Sequence, residues 1–226
     1  MIPVKQINVL VVEDHAIVRQ GICAILSKVS RFKIAGQARN GREAVPMVRT
    51  LQPDVVLMDI GMAILNGLEA TRQMLADNPA TKVLILSAHS DRDNVERLIA
   101  AGVAGYIDKD SSAEILIKAI GEVAQGRKFF SAVIARHLHN KPNPPRDRDE
   151  LEKSTHAALT TREAEVLQMV AEGATNKQVA AELRIGIKTV EKHRQSLGGK
   201  LKIYDIAGLT RYAIAAGVIE GKVRLN

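Results

Sequence analysis

Three features of this chain predict an α/β fold: a doubly wound five-stranded parallel sheet followed by a small all-α domain. Short β-branched runs alternate with helical patterns over residues 7–126, the mark of a parallel sheet covered on both faces. A polar, proline-rich, charge-alternating stretch occupies residues 140–150. From about residue 157 the pattern turns wholly helical. The chain therefore reads as a domain at 1–126, a short helix and linker at 127–156, and a second domain at 157–226.

Strands are expected near 7–12, 32–38, 54–58, 82–87 and 104–108, and helices near 15–29, 41–51, 67–77, 92–101 and 112–125. Ser111-Ser112-Ala113-Glu114 fits a capping box, and Asn66 precedes Glu69 at the same spacing. Pro46 lies inside the second helix and should bend it or shift its start. A short helix near 131–139 closes the first domain, and Asn140 to Glu150 reads as a semi-stiff linker. Beyond it, Thr160-Thr161-Arg162-Glu163 opens a helix that stops at Gly173, and Thr175-Asn176-Lys177-Gln178 opens another. Gly186 precedes a third helix near 187–201, and Asp205 can cap a fourth. Short helices with a tight turn before the third predict a helix-turn-helix.

Composition narrows the function classes. A hydrophobic share of 46% and a charged share of 25% suit a soluble globular protein. No apolar run approaches the roughly 18 residues of a membrane span. The first residues lack the apolar core of a signal peptide, so a cytoplasmic protein with no membrane partner is expected. The single cysteine, Cys23, excludes an internal disulfide. Its neighbours Ile22, Ala24 and Ile25 predict a buried, inert thiol. Net charge is +7, with +4 of it in residues 157–226, so the second domain is the more basic per residue and permits a polyanion partner. With no Trp and 3% aromatics, stacking on single-stranded nucleic acid is disfavoured.

Glu13-Asp14, Asp59, Ser87 and Lys109 each stand just past the end of an apolar run. In an open parallel sheet the strand C-termini meet at one edge, where ligands bind. Crowded carboxylates persist together when a cation or a lysine offsets their charge. Mg²⁺ needs only two or three carboxylates because it keeps waters. The inventory suits magnesium and phosphate, with a carboxylate free as nucleophile and Lys109 and Ser87 free to meet phosphoryl oxygens. A plain salt bridge is the alternative role for Lys109.

Glu13-Asp14, Val55 to Ile60, Leu65-Asn66-Gly67, Leu86-Ser87-Ala88 and Gly105 to Asp110 together closely resemble a response-regulator receiver domain, with its flavodoxin-like fold, over roughly residues 6–126. The resemblance implies that Asp59 accepts a phosphoryl group from a sensor histidine kinase. It also implies that Glu13, Asp14, Asp59 and the backbone carbonyl of Gly61 hold Mg²⁺, and that Ser87 and Tyr106 form a switch pair. For Tyr106, half-buried packing is the plainer alternative. The family usually has Met-Pro where this chain has Met62-Ala63; losing a fixed φ should loosen that loop. Asp110 replaces a proline common after the lysine.

In the third C-terminal helix, Val190, Leu197 and Leu201 form an apolar stripe, with Lys188, Glu191, Lys192, Gln195 and Gly199 opposite. In a major groove, Lys192 can donate to guanine, Gln195 to adenine, and Glu191 can accept from cytosine. Lys188 and Arg194 are better placed for phosphates, as are Asn176 and Lys177 at another helix N-terminus. His193 reads as packing or backbone-contacting. Leu159 to Glu163, then Lys188-Thr189-Val190-Glu191-Lys192-His193-Arg194, then Tyr212 to Ile219, are similar to the LuxR-type helix-turn-helix. That likeness adds Thr189 to the DNA-contacting set. Both halves together resemble a NarL/FixJ-type response regulator, a transcription factor that binds double-stranded DNA as a dimer, commonly through its last helix. It implies a sensor histidine kinase, DNA and, on phosphorylation, a second copy as partners, and leaves RNA polymerase open. Gly198-Gly199 disagrees with a long recognition helix, at about 2 kcal/mol relative to alanines. Either that helix ends near Leu197 or DNA binding orders its last turn, so a Gly198→Ala/Gly199→Ala variant should bind DNA more tightly.

Two rival functions differ in class. An aspartate-based phosphohydrolase generally carries a second Asp two positions after its nucleophile, where this chain has Gly61. A DNA-binding regulator with an unphosphorylated receiver would bind DNA equally with or without phosphodonor and Mg²⁺.

Overall fold

The computed structural model describes residues 6–88, 92–131, 134 and 159–219. They fall into two compact units, one built on a sheet and one all helical.

Six strands form one parallel sheet in the order β2-β1-β3-β4-β5-β6. They are β1 (Ile7–Val12), β2 (Phe32–Ala38), β3 (Val55–Asp59), β4 (Val83–Ser87), β5 (Gly105–Asp108) and β6 (Phe129–Phe130). Between them run α1 (Ala16–Ser27), α2 (Gly41–Leu51), α3 (Gly67–Asp77), α4 (Arg92–Ala101) and α5 (Ala113–Ala124). Val9 to Val12 and Val55 to Met58 are at most 1% exposed, as befits strands covered on both faces. Val9, Val11, Leu57, Leu84 and Ile107 pack with Leu26, Leu116 and Ile120 from α1 and α5. The strand order reverses between β1 and β3, and a crevice opens at their C-terminal ends by that reversal.

The expected sheet had five strands; the sixth is a correction. Two residues are too few to show alternation, and β6 forms only because Gly105 lets it approach. A Cβ at Gly105 would lie 2.4 Å from the Phe129 carbonyl oxygen. Pro46 does not shift the start of α2, which opens at Gly41 with the Asn40 side chain accepting from the Glu43 amide. At α5 the N-cap is Ser112 and makes no side-chain cap bond. Glu114 therefore sits one position too early for the expected box. The residues of the expected 131–139 helix other than Ser131 and Ile134, and the whole 140–156 linker, lie outside the described residues.

The helical unit contains α6 (Thr161–Ala171), α7 (Asn176–Leu183), α8 (Ile187–Leu201) and α9 (Ile206–Ala215). Both threonine capping boxes are complete, Thr160 with Glu163 and Thr175 with Gln178. Asp205 caps α9 by accepting from the Gly208 amide. Val166, Val179, Leu183, Val190, Leu197 and Leu209 share one core. The helix α8 runs unbroken through Gly198 and Gly199 to Leu201, so the early end near Leu197 is excluded.

Candidate functional site

Four strand ends bring the predicted pocket residues together. Glu13 follows β1, Asp59 ends β3, Ser87 ends β4 and Lys109 follows β5. Glu13, Asp59 and Ser87 are at most 5% exposed, while Asp14 is half-buried. The Lys109 Nζ lies 2.8 Å from Glu13 Oε2 and 2.9 Å from Asp59 Oδ2. The Ile60 amide donates to Asp59 Oδ1 at 2.8 Å. Burial raises the Asp59 pKa, with the Glu13 charge adding to it, against the pull of Lys109 and the Ile60 amide. Burial alone would lower Lys109, but its bonds to Glu13 and Asp59 outweigh that and raise it. The ammonium therefore stays charged between two carboxylates.

His15 adds a contact that the sequence reading did not include. Its Nδ1 lies 2.7 Å from Asp14 Oδ1 and 3.1 Å from Glu13 Oε1. The Asp14 charge, then the bond to Glu13, raises its pKa. Arg19 donates to the Glu13 carbonyl at 2.6 Å, which fixes the turn that presents both acids. Glu13, Asp14, His15 and Asp59 converge closely enough to surround one cation. Glu13 Oε2 and Asp14 Oδ1 are buried and make only charge contacts, without a well-directed hydrogen bond. Oxygen donors in that state fit a hard divalent cation.

The loop after Asp59 is closed by backbone bonds. The Met62 and Gly67 amides both donate to the Ile60 carbonyl, at 3.0 and 2.9 Å, and the Leu65 amide to the Ala63 carbonyl at 2.9 Å. The last bond encloses Ile64 at φ 73°, a positive-φ γ-turn that is rare for a β-branched residue. A Cβ at Gly67 would lie 2.1 Å from the Asp59 carbonyl oxygen, so only glycine lets α3 begin against the end of β3. Tyr106 is 0% exposed, fully rather than half buried. Cys23 is half-buried against the sheet core, and that burial pushes its thiol pKa up.

In the helical unit, Val190, Leu197 and Leu201 are buried and Lys188, Thr189, Glu191, Lys192 and Gln195 are exposed on α8. Lys177 is exposed at the start of α7. Arg194 and Asn176, both half-buried, bond each other through Nη1 and Oδ1 at 2.6 Å. That bond ties α8 to the first turn of α7. His193 is half-buried. Glu163 does more than cap its helix. Its Oε1 accepts from Ser196 Oγ at 2.6 Å, and its Oε2 accepts from Lys200 Nζ at 2.6 Å and the Thr160 amide at 2.7 Å. Burial would raise this carboxyl, but those bonds hold it down at a pKa of about 2.

Comparison with known proteins decides what these two units are. The response regulator receiver domain model matches residues 9–121, and the model for bacterial regulatory proteins of the luxR family matches 157–213. The regulator UvrY of Escherichia coli K12 is 34% identical over 212 residues, covering 94% of this chain and 95% of its own. The chain is a two-component response regulator with a LuxR-type DNA-binding domain. Another similar protein is the response regulator VraR of Staphylococcus aureus Mu3, 35% identical over 214 residues, covering 95% of this chain and 99% of its own. Among solved structures, the heme-sensing system's regulator ChrA is 28% identical at a TM-score of 0.52, covering 95% of this chain and all of that one. A complex of the regulator RcsB with DNA matches at 21% identity and a TM-score of 0.56, covering 93% of this chain and 98% of that one; at that identity it shows the fold alone.

Several residues of this response regulator gave too little signal in sequence. Ser196 and Lys200 lie 33 and 37 positions from Glu163, beyond any local pattern. His15 adjoins the acid pair, and its placement was readable as part of that cluster. Among the described residues, no helix is long and apolar enough to cross a membrane.

Proposed function

We propose that this response regulator is switched by phosphorylation of Asp59 by a sensor histidine kinase, and that the switch controls transcription through sequence-specific DNA binding. The observation that carries the reading is Lys109 Nζ held within 2.9 Å of both Glu13 and Asp59 at the crevice edge. An Asp59 oxygen forms the new P–O bond as the phosphoryl group leaves the donor's imidazole nitrogen, whose N–P electron pair stays on the ring. Burial beside Glu13 makes that carboxylate more basic, hence a better nucleophile. Lys109 then turns from Asp59 Oδ2 to a phosphoryl oxygen, and the Ser87 hydroxyl donates to another. Tyr106, two positions before Asp108 on the same strand, supplies the readout.

Glu13, Asp14, Asp59 and the Gly61 carbonyl would hold Mg²⁺, which when bound neutralises the incoming phosphoryl charge. Gly61 stands where a phosphohydrolase generally carries its acid, so we read the aspartyl phosphate as a signal rather than a turnover intermediate, and the protein as a regulator rather than an enzyme. In the second domain Lys192, Gln195, Glu191 and Thr189 face bases, while Lys188, Lys177, Asn176 and Arg194 hold phosphates. The phosphorylated form acts as a cytoplasmic homodimer on double-stranded DNA, with RNA polymerase as the natural next partner of a bound regulator.

The test is radiolabelling from acetyl phosphate with Mg²⁺. The parent chain takes up label and Asp59→Asn does not; retained label in the variant removes Asp59 from this role.

A further inference from the structure

The edge strand β6 pairs with the strand that holds Tyr106 and leads into Lys109. In register, Gly105 faces Phe129 and Tyr106 faces Phe130. The Phe129 amide donates to the Ala104 carbonyl at 3.1 Å, and the Ser131 amide to the Tyr106 carbonyl at 3.0 Å. The Ser131 hydroxyl then donates to Asp108 Oδ2 at 3.0 Å. Asp108 immediately precedes Lys109, whose ammonium bridges Glu13 and Asp59. On the near side of β6, Arg127 is paired with Glu122 of α5, and its amide donates to the Glu122 carbonyl at 3.0 Å. The segment is thus anchored before β6 and clasped to β5 at its end.

We propose that Ser131 is a positioning residue that conveys the state of the Asp59 pocket to the linker through its clasp on β5. The inference rests on the reading that Asp59 is phosphorylated. A phosphoryl group on Asp59 draws Lys109 away from Asp59 Oδ2, and any shift of Lys109 is felt at its neighbour Asp108. Ser131 holds that neighbour through a side-chain bond and holds Tyr106 through a backbone bond. Two hydrogen bonds at the outer edge of a sheet are weak enough for a nearby change of charge to make or break them. Along the chain, every displacement passed from the sheet to residues 157–226 crosses Ser131. Gly105 is the enabling residue, because a side chain there would push β6 off the sheet.

The test uses the full chain, acetyl phosphate with Mg²⁺, and hydrogen exchange read at residues 129 and 131. In the parent, phosphorylation changes exchange at these two amides at least fivefold; an unchanged rate in fully labelled protein overturns the proposal. Ser131→Ala and Asp108→Ala remove the same bond from opposite sides. Both should take up label within twofold of the parent, yet lose most of the gain in affinity that phosphorylation gives for a duplex selected from fragmented genomic DNA. Ser131→Thr, which keeps the hydroxyl, should restore that gain. Full stimulation in both alanine variants overturns the role of Ser131. Absence of label in the parent itself overturns the Asp59 reading, and this inference with it.

Discussion

Replacing Glu163 by Gln should loosen α8 without touching any of the residues proposed above to meet DNA. The carboxylate is 3% exposed and joins α6 to Ser196 and Lys200 of α8. Its pKa falls from 4.5 to about 2 on folding, which corresponds to roughly 3 kcal/mol of stabilisation at neutral pH. In the Glu163→Gln variant the new side-chain amide still accepts from the Thr160 backbone amide, and Lys200, a third exposed, regains hydration. The expected loss is therefore about 2–3 kcal/mol. Hydrogen exchange of residues 187–201 reads this locally, as a roughly 30- to 150-fold acceleration at pH 7. The sign of the pH dependence follows from the depressed pKa. The stabilisation is complete above the unfolded value of 4.5 and disappears as pH falls through about 2. Parent and variant should thus converge on acidification, because Gln cannot titrate. An acceleration under threefold at pH 7, or a gap that persists undiminished down to pH 2, refutes the assignment.

Three further substitutions have outcomes set by the space or charge around them. Gly199→Ala should raise the stability of the helical domain by about 1 kcal/mol in a urea titration, since a Cβ there meets nothing within 4 Å. Gly198→Ala should not, because its Cβ would come within 2.7 Å of the Tyr204 ring; any tighter DNA binding by the double variant would come from residue 199. Lys109→Gln leaves Glu13 and Asp59 buried without their cation and should cost roughly 3 kcal/mol of receiver stability. Millimolar Mg²⁺ should recover part of it by binding the native acids, and a variant as stable as the parent without Mg²⁺ would contradict the bridging role.

The pocket was readable because each of its residues sits where a short apolar run stops, and parallel strands bring those stops to one edge. The bounds of α3 and α8 agree with the sequence pattern because Asn66 and Gly186 mark their starts plainly. What escaped was non-local or too short. The strand β6 has two residues, and its existence depends on a glycine far earlier in the chain, at 105. Ser112 displaced Ser111 as the cap of α5, a one-residue difference that propensity does not resolve. The left-handed turn at Ile64 runs against residue preference, so no sequence rule would place it. Glu163 carried a clear capping signal that concealed its second role.

Glu13 and Lys109 stand far apart in the chain, yet one ammonium spans the gap to both acids. During synthesis the chain emerges N-terminus first, so Asp59 leaves the ribosome long before the cation that shares its pocket. Until β5 has been made and docked, the acids are without their lysine. A receiver interrupted before residue 109 is consequently left with two buried acids and no ammonium between them. Charge balance at the buried acids thus waits on β5, the fifth of six strands.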